Sequence, residues 1–123
     1  MSLGLLVAIA AVLVGGCASV VRYLVSVALA GRGTLPWAVF TVNVIGSAIG
    51  GAVLGTSQSG AVSADMRLIL LGGLAGGLTT FSTWSVETVD LIQDGRWRAA
   101  AASVTLNLVA GSAVATAAWA LTR

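Results

Sequence analysis

GGLAGGLTTFSTWSVE, residues Gly72–Glu87, is where a hydrophobic segment turns into glycine, then hydroxyls, then two aromatics three residues apart, and ends on a carboxylate. Four glycines within six residues (Gly72, Gly73, Gly76 and Gly77) make a poor helix. In lipid, a non-helical backbone survives only where it is buried in protein or lines a cavity. The expectation is therefore a helix broken at membrane depth, presenting carbonyls, hydroxyls and ring edges, with the rest of the chain holding the break in place.

The composition supports a membrane setting. Of 123 residues, 58% are hydrophobic and only 8% charged, and the mean hydropathy is +1.03. A soluble domain carries about 25% charged residues. The chain is thus expected to be an all-α integral membrane protein. It has no histidine and one cysteine, which excludes the usual zinc, haem and disulfide frameworks. Cys17 follows Val14-Gly15-Gly16, small residues of the kind found before a lipoprotein cleavage site. No Lys or Arg precedes Arg22 to form the basic start of a signal peptide, so Leu3 onward is read as a transmembrane helix and Cys17 as a small buried side chain. The six basic residues are all arginine, spread over several loops, which is no nucleic-acid footprint.

A hydrocarbon core about 30 Å thick needs about 20 helical residues to span it. Residues 1–123 divide into four such segments in a single domain: roughly Leu3–Leu29, Trp37–Leu54, Arg67–Val89 and Trp97–Leu121. Gly31-Arg32-Gly33-Thr34-Leu35-Pro36, the Gly/Ser-rich stretch Thr56–Asp65 and Asp94-Gly95-Arg96 supply the turns. Trp37, Trp97 and Trp119 fall near segment ends, where amphipathic rings favour the headgroup level. In the second segment Asn43, Ser47, Gly51 and Gly55 recur every four residues, and in the fourth Ser103, Asn107, Gly111 and Ala115 do the same. Such stripes let helices approach closely. Packing alone accounts for the glycines and alanine, but less well for the asparagines, because a mid-membrane amide costs several kcal/mol unless paired. Asn43 and Asn107 are therefore candidate functional residues.

With the N-terminus inside, Arg67 and Arg123 count on one side and Arg32, Arg96 and Arg98 on the other. A difference of one arginine sets no direction. A chain with so little bias can insert both ways, and an antiparallel dimer is physically open to it.

Within the organising stretch, Thr79, Thr80, Ser82 and Thr83 supply hydroxyls, and Phe81 and Trp84 share a helix face. Aromatic rings are electropositive at the edge and attract an anion without trapping it. Carbonyls freed at Gly76 to Thr79 are ligands that a hard cation such as sodium would choose.

On these residues the chain resembles the small bacterial fluoride channels of the Fluc or CrcB type. The resemblance is carried by Gly15-Gly16 with Arg22-Tyr23, by Asn43 with Gly46-Ser47, and above all by Gly76-Gly77-Leu78-Thr79-Thr80-Phe81-Ser82-Thr83 followed by Glu87. It implies an antiparallel, dual-topology homodimer in the bacterial inner membrane, with two fluoride pores and a central structural sodium on the backbone carbonyls of Gly76 and Thr79. It makes Asn43 the pore amide, Phe81 the start of an aromatic box, and Ser82 and Thr83 part of a polar track. The family usually has a second phenylalanine where this chain has Trp84, and a tyrosine where Ser103 aligns. Close-set donors suit fluoride, a small and tightly hydrated anion. Arg22 is either a group attracting anions to the mouth of the path or a snorkelling anchor.

A small dual-topology drug/proton antiporter is the competing transporter. It needs a mid-membrane carboxylate, yet the first segment has no acid and Glu87 lies at the far end of the third. A non-transporting assembly subunit would not need Asn43, Thr79 and Ser82 at a break. An enzyme is disfavoured because no nucleophile and base pair stands out and the glycine run lacks the lysine of a phosphate loop.

Overall fold

The computed structural model describes residues 1–123, which form helices joined by short turns. Helix α1 is Leu3–Ala28 and α2 is Trp37–Gln58. The third span begins with α3, Ala64–Leu68, continues through a π-helical stretch, Ile69–Ala75, into α4, Gly76–Leu78, and resumes after a break as α5, Phe81–Gln93. Helix α6 is Trp97–Thr122. The four spans of 26, 22, 30 and 26 residues are each long and apolar enough to cross a bilayer.

Two helix starts follow from hydroxyl caps. The Ser63 side chain accepts the Met66 N–H at 3.2 Å, and that of Ser2 accepts the Leu5 N–H at 3.3 Å. Helix α2 follows Pro36, a residue suited to a helix entry. The turns use glycine where φ must be positive, as at Gly60 (+79°) and Gly95 (+74°). Arg96 also donates from Nη2 to the Thr34 carbonyl, tying the α5–α6 turn to the α1–α2 connection.

Helix α2 runs to Gln58, four residues past its expected end at Leu54, and the expected loop from Thr56 shrinks to Ser59–Ser63. The reason is local: Thr56 returns its hydroxyl to the Ala52 carbonyl at 2.8 Å, so a polar residue adds to the helix without an orphaned group. Gln58 then accepts the Trp119 indole N–H at 2.8 Å.

The glycine run requires a larger correction. Gly72, Gly73, Gly76 and Gly77 are all helical, and the chain leaves the helix only at Thr79 (φ −80°, ψ 154°) and Thr80 (φ −147°, ψ 121°). Close packing outweighs poor propensity here. A Cβ on Gly73 would lie 2.6 Å from the Ala11 carbonyl oxygen, and one on Gly77 would lie 2.9 Å from the Gly15 Cα. Glycine in this span thus lets it lie against α1 with backbone near backbone. The same logic joins α2 to α6, which pack extensively. A Cβ on Gly51 would come 2.8 Å from the Ala115 carbonyl carbon. A small core of Ala18, Val42 and Leu78 ties α1, α2 and α4 together beside the break.

Candidate functional site

Two extended residues in a membrane span leave four backbone groups to satisfy, and side chains from two other helices do most of that work. Asn43 of α2 clamps Thr80: its Oδ1 accepts the Thr80 N–H at 2.9 Å, and its Nδ2 donates to the Thr80 carbonyl at 3.2 Å. One amide thus replaces the neighbouring strand that an extended residue would otherwise need. The second Nδ2 hydrogen of Asn43 goes to Asn107 Oδ1 on α6 at 3.2 Å. From α1, Arg22 donates to the Thr79 carbonyl at 3.1 Å, and Ser19 donates to the Gly77 carbonyl at 3.3 Å.

The break also starts a helix. Thr80 caps α5 by accepting the Thr83 N–H at 3.1 Å, and its hydroxyl meets those of Thr83 and Ser82 at 3.0 and 3.3 Å. The N–H groups of Phe81 and Ser82 lie in this first turn, where a helix has unsatisfied donors and the positive end of its dipole.

Beside the break is a cavity of about 300 Å³ lined by Asn43, Ser47, Thr79, Thr80, Phe81, Trp84, Asn107 and Leu108. No lining residue carries a charge. Phe81 and Trp84 meet edge to face, with ring centroids 5.6 Å apart and planes at 70°. Phe81 is 75% exposed. Asn107 donates one Nδ2 hydrogen to the Ser103 carbonyl at 2.9 Å. Since an amide has two such hydrogens, one of Asn107's has no partner within the chain, whereas both of Asn43's are used. The Trp84 indole nitrogen is buried without a partner.

Of the expected pore residues, the fold brings Asn43, Phe81, Trp84 and Asn107 to this cavity. Ser82 and Thr83 sit at the cap of α5 rather than on the cavity wall. Ser103 is 3% exposed with an unpartnered hydroxyl, and it borders a separate void of about 10 Å³ with Trp37, Phe40 and Asn107. Arg22 turns inward to the break.

Gly76 is helical and Thr79 is the first extended residue, and the carbonyls from Gly76 to Thr79 are not all free. Gly77 and Thr79 already accept from Ser19 and Arg22. The Gly76 carbonyl has lost its helical partner, because the Thr79 N–H goes to Ala75 and the Thr80 N–H to Asn43. Ser19 was not singled out in the sequence, although it lies three residues before Arg22, a spacing that places both on one face of α1. Thr80 and Thr83, expected as hydroxyl donors, form the cap that marks where α5 begins.

Glu87 has a buried carboxylate oxygen without a partner. It lines a different cavity, of about 250 Å³, with Asp90, Asp94 and Arg96.

Comparison with known proteins bears on this geometry. Residues 9–119 match the family described as CrcB-like protein, Camphor Resistance (CrcB). The fluoride-specific ion channel FluC of Syntrophotalea carbinolica is 46% identical over 97 residues, 76% of each chain. That of Shewanella sp. strain ANA-3 is 39% identical over 96 residues, 76% of this chain and 77% of its own. The FluC of Phocaeicola vulgatus is 40% identical over 83 residues, 66% of this chain and 69% of its own. Matched from near the start of α1 almost to the end of α6, and so across the whole of the broken span, this four-span membrane protein belongs to the CrcB family.

Proposed function

We propose that this protein is a fluoride-specific ion channel that lets fluoride leave the cell passively. The carrying observation is the cavity at the Thr79–Thr80 break, whose walls offer donors and ring edges without a formal charge. Fluoride gives up its water only where donors replace it, and it leaves again only where no fixed cation holds it. The free amide hydrogen of Asn107, the first turn of α5 and the edges of Phe81 and Trp84 meet both conditions. No carboxylate lines the cavity, which leaves a drug/proton antiporter without its exchanging group.

The working unit is an antiparallel homodimer in the bacterial inner membrane. Phe81 stands 75% exposed at the edge of the cavity, where a second copy would complete the wall. The near-balance of arginines on the two sides supports dual topology.

Gly76 and Thr79 would hold a structural sodium between the copies, supplying carbonyl dipoles at the dimer centre. Two carbonyls from one chain are too few to replace a hard cation's water, and two copies together offer four. The fit therefore needs a second copy. When bound, the cation supplies a fixed positive field between the two paths; the remaining work belongs to Asn43, which holds Thr80 extended, and to Asn107, which faces the anion.

Liposomes loaded with fluoride and carrying the purified protein test the proposal with a fluoride electrode. Release without an imposed proton gradient, and no comparable release of chloride, is expected. Equal release of the two halides would overturn selectivity.

A further inference from the structure

Arg22 is the one charged residue within α1. A charge in a membrane span must find a partner or reach the headgroups. An arginine that merely snorkels extends toward the interface, yet Arg22 is half-buried and donates from Nη1 to the Thr79 carbonyl at 3.1 Å. Ser19, one turn earlier, serves the Gly77 carbonyl in the same way at 3.3 Å. The face of α1 turned to the break is thus a set of donors aimed at the carbonyls that end α4.

A carbonyl oxygen has two lone pairs. The guanidinium takes one at Thr79 and brings a full positive charge with it. A sodium ion on the same oxygen would sit roughly 5 Å from that charge, and at the effective dielectric of a protein the repulsion lowers cation affinity on the order of a hundredfold or more. We propose that Arg22 is a tethered cation that holds the Thr79 carbonyl when sodium is absent, and that it sets the affinity of the sodium site by competing for that oxygen. The inference rests on the sodium reading given above. It accounts for how a single chain, before pairing, keeps a broken helix in lipid without an orphaned carbonyl at Thr79.

The test reads stability rather than flux. Wild-type protein and the Arg22→Met and Arg22→Lys variants are titrated with sodium against N-methylglucamine at constant ionic strength, and the thermal unfolding midpoint is followed. Arg22→Met removes the charge and keeps most of the apolar stem. It should be the least stable of the three without sodium, and should reach half-maximal stabilisation at a sodium concentration at least tenfold below that of wild type. Arg22→Lys keeps the charge and should stay within about threefold of wild type. A sodium requirement in Arg22→Met equal to or above that of wild type would overturn the inference. So would failure of Arg22→Met to fold in saturating sodium, because the ion would then not be replacing the guanidinium. Absence of stabilisation in all three proteins would instead overturn the sodium reading itself, whereas stabilisation of wild type with no shift in Arg22→Met would overturn only the role of Arg22.

Discussion

Asn43 and Asn107 carry the same side chain and do different work. Both Nδ2 hydrogens and the Oδ1 of Asn43 are committed to Thr80 and Asn107, while Asn107, which also lines the cavity, donates only one hydrogen within the chain. Asn43→Asp places an acceptor against the Thr80 carbonyl and against Asn107 Oδ1, and it should cost about 2–4 kcal/mol of stability, read as a lower unfolding midpoint, and abolish flux. Asn107→Asp still offers Asn43 an acceptor but puts a negative charge on the path. It also turns the hydrogen bond to the Ser103 carbonyl into an acceptor–acceptor contact, so flux should fall at least tenfold and the unfolding midpoint should drop by the equivalent of about 1–3 kcal/mol, less than in Asn43→Asp. Reversed behaviour of the two variants would exchange their roles. The sequence showed that both amides needed partners, since an unpaired amide in lipid is costly. It did not show that Asn43's partner would be a backbone 37 residues away, because that pairing depends on where the third span breaks.

The third span places this dependence at the level of the element. Glycine propensity pointed to a break within Gly72–Gly77, whereas the extended residues are Thr79 and Thr80. Propensity measures an isolated helix, and here the missing side chains are what permit contact with α1. Gly77→Val should therefore abolish function by collision with the Gly15 backbone, and protein yield should fall with activity. A sharper check lies on α2, where a Cβ on Gly46 would run into the Thr79 methyl group. Gly46→Ala should destabilise by about 1–3 kcal/mol through overpacking. Thr79→Ser alone should be tolerated, because it keeps the hydroxyl that bonds the Ala75 carbonyl at 2.9 Å. Combining the two should restore most of the loss in thermal unfolding, and strict additivity would show that the Gly46 contact is not with the Thr79 methyl. The four spans and the places of their turns were legible, because length, hydropathy and glycine or proline punctuation are local properties, although α2 continues into the expected Thr56–Asp65 loop. The π-helical stretch Ile69–Ala75 was not, since no residue type marks it and it follows from packing.

For the whole molecule, exposed apolar residues such as Leu3, Leu13, Val109 and Phe81 cover its surface, as lipid and a second copy would require. Cysteine labelling of a loop position in intact cells and in inverted vesicles should find both orientations, and a single orientation for all copies would remove the antiparallel dimer. The four spans and the polar break mark this chain as a transport protein. The choice of ion rests on an uncharged cavity whose residues come from α2, α5 and α6, an assembly that no local window contains. The most direct measurement is therefore the reversal potential of currents from purified protein in a planar bilayer, with fluoride and chloride gradients set in opposite directions at equal pH. The expected potential follows the fluoride gradient and does not move when a pH gradient is added. A potential that follows chloride, or that shifts with pH as proton exchange requires, would contradict fluoride conduction through the Thr79–Thr80 break.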